Sequence, residues 1–322
     1  MFEPVRIGVV GLGNFGQLHA QTLAGIAEAH LVALVDNGPD ALAAARRRLP
    51  TVPGWDNLDR AIVESDAEAW VVASSTASHV SLAETLLSKG RRVLLEKPIA
   101  DNLAEAERLV PLVAADSGNL MMGHIVLFNS EFRQLCEEVR HRGAPVLIDC
   151  VRHRPSTTMQ LFPGESPLHL TMVHDLYCVL ALTGGAEPCH FSLQTHRTAT
   201  GACDLACARL QWFEGTVASL TASFLTPAGM PSDGFDRLEV FGAGWTARIR
   251  PNPRPFELWD ESARWPMALE IMVDNGRPSG MLAEELRTFC RVVRGQQAVP
   301  LGARYADALQ VQRWLARLEA AH

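Results

Sequence analysis

The residues best suited to chemistry lie near the start of the chain. Gly11-Leu12-Gly13-Asn14-Phe15-Gly16 follows the apolar run Val5–Val10 and precedes a stretch with helical periodicity, and Asp36 stands 20 positions past Gly16. A strand–turn–helix unit uses this arrangement to hold a dinucleotide. Gly11 permits the tight turn, Gly13 lets the backbone approach a pyrophosphate, and Gly16 lets helix and strand pack closely. The helix start, with Asn14 and Phe15, offers unpaired N–H groups and a partial positive charge to phosphates. A carboxylate at Asp36 can accept from both adenosine ribose hydroxyls and would repel a 2′-phosphate. Asn37-Gly38-Pro39 supplies no arginine to hold such a phosphate, and the arginines at 46–48 lie a helix away. The expected cofactor is NAD in preference to NADP. The plain alternative is a glycine turn that binds nothing, and the flanking strand, helix and Asp36 argue against it.

Three further motifs carry reactive side chains. Leu94-Leu95-Glu96-Lys97-Pro98 ends an apolar run, Ser74-Ser75-Thr76-Ala77-Ser78-His79 follows another, and Val173-His174-Asp175-Leu176 falls in a helical pattern. Lysine and histidine suit removal of a hydride from an alcohol carbon. Histidine titrates in the range needed to take the hydroxyl proton, and an ammonium stabilises the developing alkoxide. The blander readings are a solvated strand-end lysine and a satisfied core histidine.

Together with the glycine loop, and with Gly123-His124 followed by Phe128-Asn129, these motifs resemble the glucose–fructose oxidoreductase and inositol dehydrogenase family (Gfo/Idh/MocA) along the whole chain. The resemblance implies a Rossmann domain plus an α/β domain whose open sheet often forms the subunit interface. It also implies reversible NAD(P)-dependent oxidation of a hydroxyl on a sugar, polyol or sugar derivative. Carried over by position, Lys97 points between nicotinamide and substrate, Pro98 follows a cis peptide, and His174 is the acid/base. Glu96, His79 and the Ser74, Ser75 and Thr76 loop lie near the cofactor, and His124 lies near the substrate.

One position departs from the family pattern. The family helix commonly reads Asp-x-x-x-His, which sets both side chains on one face. Here that position is Leu170, and no carboxylate stands between Glu165 and Asp175. His169 is one residue off, about 100° around a regular helix, and cannot substitute without a register shift. It remains a candidate substrate contact. Three readings stay open: Lys97 and His174 suffice for dehydrogenation, NAD serves a redox-neutral outcome such as epimerisation, or the fold persists as a non-catalytic NAD-binding sensor. Asp175 on a regular helix points elsewhere and orders its neighbours.

Arg152 and Arg154, at the end of an expected strand over 145–153, could meet a carboxylate or phosphate on the substrate, as in a uronate or nucleotide-linked sugar. Otherwise they are solvated charges. Trp245, Trp259 and Trp265 could stack on sugar, although packing is the commoner use of tryptophan. No metal site is expected. The seven cysteines form no CxxC pair, and Cys203 and Cys207 share one face of a strand as reduced thiols.

These groups need elements to position them. Over 1–124, expected strands at Val5–Val10, 31–36, 69–73, 92–95 and 120–124 alternate with helices at 15–27, 39–48, 58–65, 79–88 and 102–115. Ser78 and Asp101 stand where helix caps belong. The alternation is the pattern of a doubly wound parallel sheet. Over 125–322, helices at 130–140 and 168–183 lead into successive strands at 190–198, 203–212, 216–224, 237–241 and 245–250, the pattern of an open, mainly antiparallel sheet. A loop is expected over 251–266, then helices over 280–294 and 303–320, the last able to pack back on the first domain. The fold class is thus α/β, an N-terminal Rossmann domain (1–124) and a C-terminal α+β domain (125–322).

A net charge of −7 argues against nucleic acid or an anionic membrane as partner. No apolar run reaches 18 residues, and the chain passes at once into a strand pattern, so a cytoplasmic protein without a signal peptide is expected. Leu193, Leu205, Leu220 and Phe224 hint at an apolar outer sheet face, which a second subunit would cover in a homodimer or a tetramer of dimers.

Overall fold

The computed structural model describes residues 3–230, 235–250, 258–259, 263–264, 271–274 and 277–321. The chain divides into two compact units, Met1–Phe128 with Ile271–Leu309, and Asn129–Glu270 with Gln310–His322. The first division falls four residues past the boundary expected at 124. Residues 271–309 return to the first unit rather than staying in the second. The expected helix over 280–294 explains the return: it is α9 (Gly280–Val293), whose Met281, Leu282, Leu286, Phe289 and Val292 are buried, against helix α1 and the turn Ile125–Phe128.

The first unit is a six-stranded parallel sheet. Its strands are β1 (Val5–Val10), β2 (Ala29–Val35), β3 (Gly54–Trp55), β4 (Ala69–Val72), β5 (Arg92–Glu96) and β6 (Leu120–Gly123), in the order β3-β2-β1-β4-β5-β6. Every pairing is parallel. The near-continuous burial of β1, β4 and β5 reflects cover on both faces. The strand order reverses between β1 and β4, where ligands bind at the carboxyl ends of such sheets. Connecting helices are α1 (Asn14–Gly25), α2 (Pro39–Arg48), α3 (Leu58–Glu64), α4 (Thr76–Ser88) and α5 (Leu103–Glu107).

Two helix boundaries differ from expectation. Helix α4 starts at Thr76 behind Ser75, so Ser78 is not its cap and instead bonds back to the Ser75 carbonyl at 2.8 Å. Helix α5 is capped by Asn102, which accepts from the Glu105 N–H at 2.9 Å, not by Asp101. It ends after five residues and gives way to a 3₁₀ turn over Val110–Leu112. Pro111 there lacks the N–H that an α-helix continuing to 115 would need.

The second unit opens with α6 (Ser130–Arg142), capped by Asn129, which accepts from the Phe132 N–H at 2.8 Å. Its sheet comprises β7 (Leu147–Pro155), β8 (His190–Arg197), β9 (Cys203–Gln211), β10 (Val217–Thr226), β11 (Phe235–Gly242) and β12 (Trp245–Ile249), in the order β12-β11-β7-β10-β9-β8. Only the β7–β10 pair is parallel. Two helices, α7 (Thr158–Leu161) and α8 (Val173–Leu182), follow β7.

Side chains alternate across this sheet. Leu193, Leu220 and Phe224 are buried on the helix-covered face, so three of the four residues expected on the outer face lie inside. Leu205 is half-buried on the open face, in line with Cys203 and Cys207 of the same strand. Both cysteines are free thiols. The misassignment is one of strand parity: a one-residue choice of register exchanges the two faces. Leu258–Trp259 and Ala263–Arg264 form a short antiparallel pair (β13, β14) inside the expected loop. The rest of that loop, including Trp265, lies outside the described residues. Another pair, β15 (Ile271–Asp274) and β16 (Arg277–Ser279), precedes α9, and α10 (Tyr305–Ala320) ends the chain.

Candidate active site

The glycine loop joins β1 to α1, and each glycine has its own steric reason. Gly11 has φ +87°, and a Cβ there would press on the backbone of Ser74 after β4. A Cβ on Gly16 would collide with the Gly11 carbonyl oxygen. A Cβ on Gly13 would meet no atom within 4 Å. Gly13 and Asn14 are exposed, Phe15 is half-buried against the His19 ring, and no side chain caps the helix. The exposed loop at an uncapped N-terminus fits a dinucleotide pyrophosphate.

Asp36 follows β2 and is held by the backbone on both oxygens. Oδ2 accepts from the Leu12 N–H at 2.6 Å and Oδ1 from the Gly38 N–H at 2.7 Å. The carboxylate is thereby fixed beside the glycine turn, half-buried, with a free lone pair on each oxygen for ribose hydroxyls.

The ends of β4 and β5 supply the next residues. Ser74 and Thr76 are half-buried and Ser75 exposed, with Ser74 Oγ 2.7 Å from Ser78 Oγ. The buried His79 ring spans two carbonyl oxygens, Nδ1 to Pro98 at 2.7 Å and Nε2 to Ser74 at 3.1 Å. It ties the β4 loop to the β5 loop. The Lys97–Pro98 peptide is cis, as the resemblance implies, and Lys97 is half-buried. The buried Glu96 carboxylate accepts from His19 Nε2 at 2.8 Å and from the Lys97 backbone N–H at 3.3 Å. His124 is fully buried directly after β6.

Glu285, on α9, reaches the same spot and is missing from the sequence-based candidates. Its signal was available: an acidic residue inside the apolar stripe Leu282-Leu286-Phe289 of an amphipathic helix.

In the second unit the helix carrying His174 is irregular. Leu168–Met172 forms a π-helical turn, in which the Val173 N–H bonds the Leu168 carbonyl five residues back. This is the register shift that a regular helix lacks. Residues five apart, such as His169 and His174, stand about one turn from each other. His169 Nε2 contacts Glu319 Oε1 at 2.8 Å. It lines a cavity of about 710 Å³ with Glu165, Thr195, Arg197 and Cys203. His174 is half-buried at the first turn of α8, and Leu170 is half-buried in the π turn.

Arg152 and Arg154 both point into carboxylates. Arg152, 4% exposed, donates from Nε to Asp175 Oδ1 at 2.8 Å and from Nη1 to Asp236 Oδ2 at 2.7 Å. Arg154 grips Asp236 at 2.6 and 3.1 Å. Burial pushes the Asp175 carboxyl up to about 6, against the opposing pull of Arg152. Asp175 is thereby bound to Arg152 of β7, which in turn reaches Asp236 of β11. Trp245, half-buried on β12, carries the Arg142 guanidinium 5.9 Å from its ring centre.

Residues 5–124 match the profile described as "Oxidoreductase family, NAD-binding Rossmann fold". The UDP-N-acetylglucosamine 3-dehydrogenase of Acidithiobacillus ferrooxidans is 32% identical over 221 residues, covering 68% of this chain and 67% of that protein. This chain belongs to the Gfo/Idh/MocA oxidoreductase family. Among other members, inositol 2-dehydrogenase 1 of Saccharopolyspora erythraea is 33% identical over 177 residues, about half of each chain (53% and 52%). The fold is that of the scyllo-inositol dehydrogenase from Lactobacillus casei, solved with NAD(H) and scyllo-inositol. Its TM-score is 0.82 at 22% identity, over 99% of this chain and 97% of that one. The glycine loop and Asp36 therefore sit in the NAD-binding Rossmann domain of a Gfo/Idh/MocA protein. Among the described residues, no helix is long and apolar enough to cross a membrane.

Proposed function

We propose that this Gfo/Idh/MocA protein is an NAD-dependent dehydrogenase acting on a hydroxyl carbon of a sugar, polyol or sugar derivative. The observation that carries the reading is Asp36, fixed by two backbone N–H groups beside an exposed, uncapped helix start. A carboxylate so held favours ribose hydroxyls over a 2′-phosphate, and NAD over NADP. The names of the relatives support the substrate class, as does the match over two thirds of the UDP-N-acetylglucosamine 3-dehydrogenase.

NAD, held by the glycine loop and Asp36, would supply the hydride acceptor for the alcohol carbon. His174 takes the hydroxyl proton and the Lys97 ammonium stabilises the developing alkoxide. Gly11, Gly13 and Gly16, with the Asn14 and Phe15 N–H groups, hold the pyrophosphate. Ser74, Ser75, Thr76, His79, Glu96 and Pro98 line the nicotinamide side. His124, Arg154 and His169 serve the substrate side, while Arg152 acts through its pair with Asp175. Val151, Leu205 and Thr221 on the open sheet face support a homodimer or tetramer of dimers. Seven free thiols fit a cytoplasmic setting.

The test is NADH formation with purified protein and a panel of myo-inositol, scyllo-inositol, uronates and UDP-N-acetylglucosamine. Activity lost in both Lys97→Ala and His174→Ala supports the reading; turnover untouched by Lys97→Ala overturns it. The second reading, a non-catalytic NAD sensor, rests on Leu170 standing where the family carries aspartate. It predicts tight NADH binding with no turnover across the panel.

A further inference from the structure

Three groups from three distant parts of the chain meet inside the first unit. His19 of α1, Glu96 of β5 and Glu285 of α9 each bring a nitrogen or oxygen within 4.8 Å of the others, and all three residues are buried. His19 and Glu285 are 0% exposed. Gly123 of β6, paired with Glu96 in the sheet, makes room for them: a Cβ there would sit 2.8 Å from Glu96 Oε1. These atoms are also of metal-ligand type. However, two ligands of a tetrahedral zinc at about 2.0–2.1 Å stand roughly 3.3 Å apart. The His19–Glu96 separation of 2.8 Å is that of a hydrogen bond.

The chemistry left for the trio is proton sharing. Neither Glu285 oxygen makes a well-formed hydrogen bond, and neither reaches solvent. Two carboxylates this close and this dry cannot both stay ionised. Burial, then the Glu96 charge, pushes the Glu285 carboxyl well above the ordinary carboxylate range, and the His124 backbone N–H opposes this. Glu96, in contrast, is committed on both oxygens, to His19 and to the Lys97 backbone N–H.

We propose that Glu285 is a positioning residue for Lys97: by carrying a proton beside Glu96, it lets the Glu96 carboxylate stay buried between His19 and the Lys97 N–H, and so sets where Lys97 stands. The importance of Lys97 placement for turnover rests on the reading of Lys97 given above. The placement itself does not.

Lys89 and Lys97 are the two lysines of the sequence, which makes a direct test simple. The full-length protein is reductively methylated with ¹³C-formaldehyde, and the two dimethyl-lysine signals are followed by NMR as pH rises. Lys89, exposed and paired with Asp59, is the internal reference. The wild-type Lys97 signal is expected to shift as pH rises and Glu285 loses its proton and repels Glu96, while the Lys89 signal does not follow that step. Titratable groups facing this point are His19 from α1, Glu96 from β5 and His124 after β6, so the variants must separate them. Glu285→Gln should keep the neutral-pH position of the Lys97 signal and lose the pH-dependent shift. Glu96→Gln should also lose the shift, which assigns it to the carboxylate pair rather than to a histidine.

Absence of the shift in wild type, its persistence in Glu285→Gln, or a displaced neutral-pH signal in Glu285→Gln would overturn the proposal. So would one equivalent of metal in the purified protein that Glu285→Gln loses. If Lys97→Ala retains turnover while the NMR result holds, the catalytic reading of Lys97 fails and the positioning role stands. The reverse pattern sinks the positioning role alone.

Discussion

Arg152 and Asp175 form a buried ion pair, with the arginine Nε 2.8 Å from the aspartate Oδ1. The same guanidinium reaches Asp236, which Arg154 also grips. Four charges from β7, α8 and β11 therefore neutralise one another inside the second unit. Arg152→Met leaves two carboxylates facing an apolar side chain. It should lower the unfolding free energy by about 3–5 kcal/mol, as loss of one partner of a buried pair does. Urea denaturation measures this, with Arg152→Met/Asp175→Leu expected to recover part of the loss. A single-variant loss below about 1 kcal/mol, the range of exposed pairs, would show that the network contributes little.

The Asp175 carboxyl gives this network a pH signature. Its folded-state value of about 6 lies above the ordinary 3.8. The folded protein thus holds a proton that the unfolded chain releases, so the associated stability is present below pH 3.8 and is lost as pH rises through 6. Asp175→Asn removes that dependence. The difference in unfolding free energy, wild type minus variant, should fall by up to about 3 kcal/mol between pH 4 and 7. A difference that stays flat or rises over this range contradicts the assignment.

The glycine loop separates folding from binding. Gly16→Ala drives a methyl onto the Gly11 carbonyl oxygen and should destabilise the protein by about 1–3 kcal/mol. Gly13→Ala meets no atom, and Gly13 has φ −62°, so stability should change by less than about 0.5 kcal/mol. On the proposed reading the new methyl occupies the surface that would face a pyrophosphate, and NADH affinity should fall about tenfold or more. Thermal unfolding and NADH fluorescence read the two effects apart. Equal NADH affinity in wild type and Gly13→Ala would place the dinucleotide elsewhere.

His79 joins the Ser74 and Pro98 carbonyls across two loops. His79→Ala removes both contacts and leaves a carbonyl acceptor without its donor, at a cost of about 1–3 kcal/mol. NADH affinity should drop together with the melting temperature, because the strut holds the two loops that the proposed function assigns to the nicotinamide side. A variant with both quantities unchanged would reduce His79 to a packing residue.

The π turn over Leu168–Met172 also bears on activity. In a regular helix, Leu170→Asp would set a carboxylate one turn before His174. With the five-residue bond in place the register is displaced, so Leu170→Asp should give no gain in turnover on any substrate found in the panel. A clear gain would mean that the turn reverts to α-helix when the carboxylate is restored.

Much of the fold is legible from local rules. The glycine spacing, Asp36 and the alternation of short apolar runs with amphipathic stretches lead to the parallel sheet, because turn geometry and side-chain periodicity act over a few residues. The two-residue β3 leaves no such pattern, being too short for alternation to register. Helix α5 stops early because of Pro111, a local signal overridden in the periodicity by Leu109, Leu112 and Val113. The outer sheet face is harder still, since strand parity reverses with one residue and only Leu205 of the four candidates lies on it.

By itself, the sequence determined the nucleotide turn, its acidic partner, the Glu96-Lys97-Pro98 loop and the family they resemble. These are contiguous motifs whose function depends on backbone conformation, and backbone conformation is written in neighbouring residue types. Tertiary structure alone decided that Arg152 is spent on Asp175 and Asp236, and that Glu285 completes a buried trio with His19 and Glu96. It also returned residues 271–309 to the first unit. Glu285 lies 189 positions past Glu96 and 266 past His19. No periodicity reports a meeting at that separation; packing of α9 against α1 brings it about.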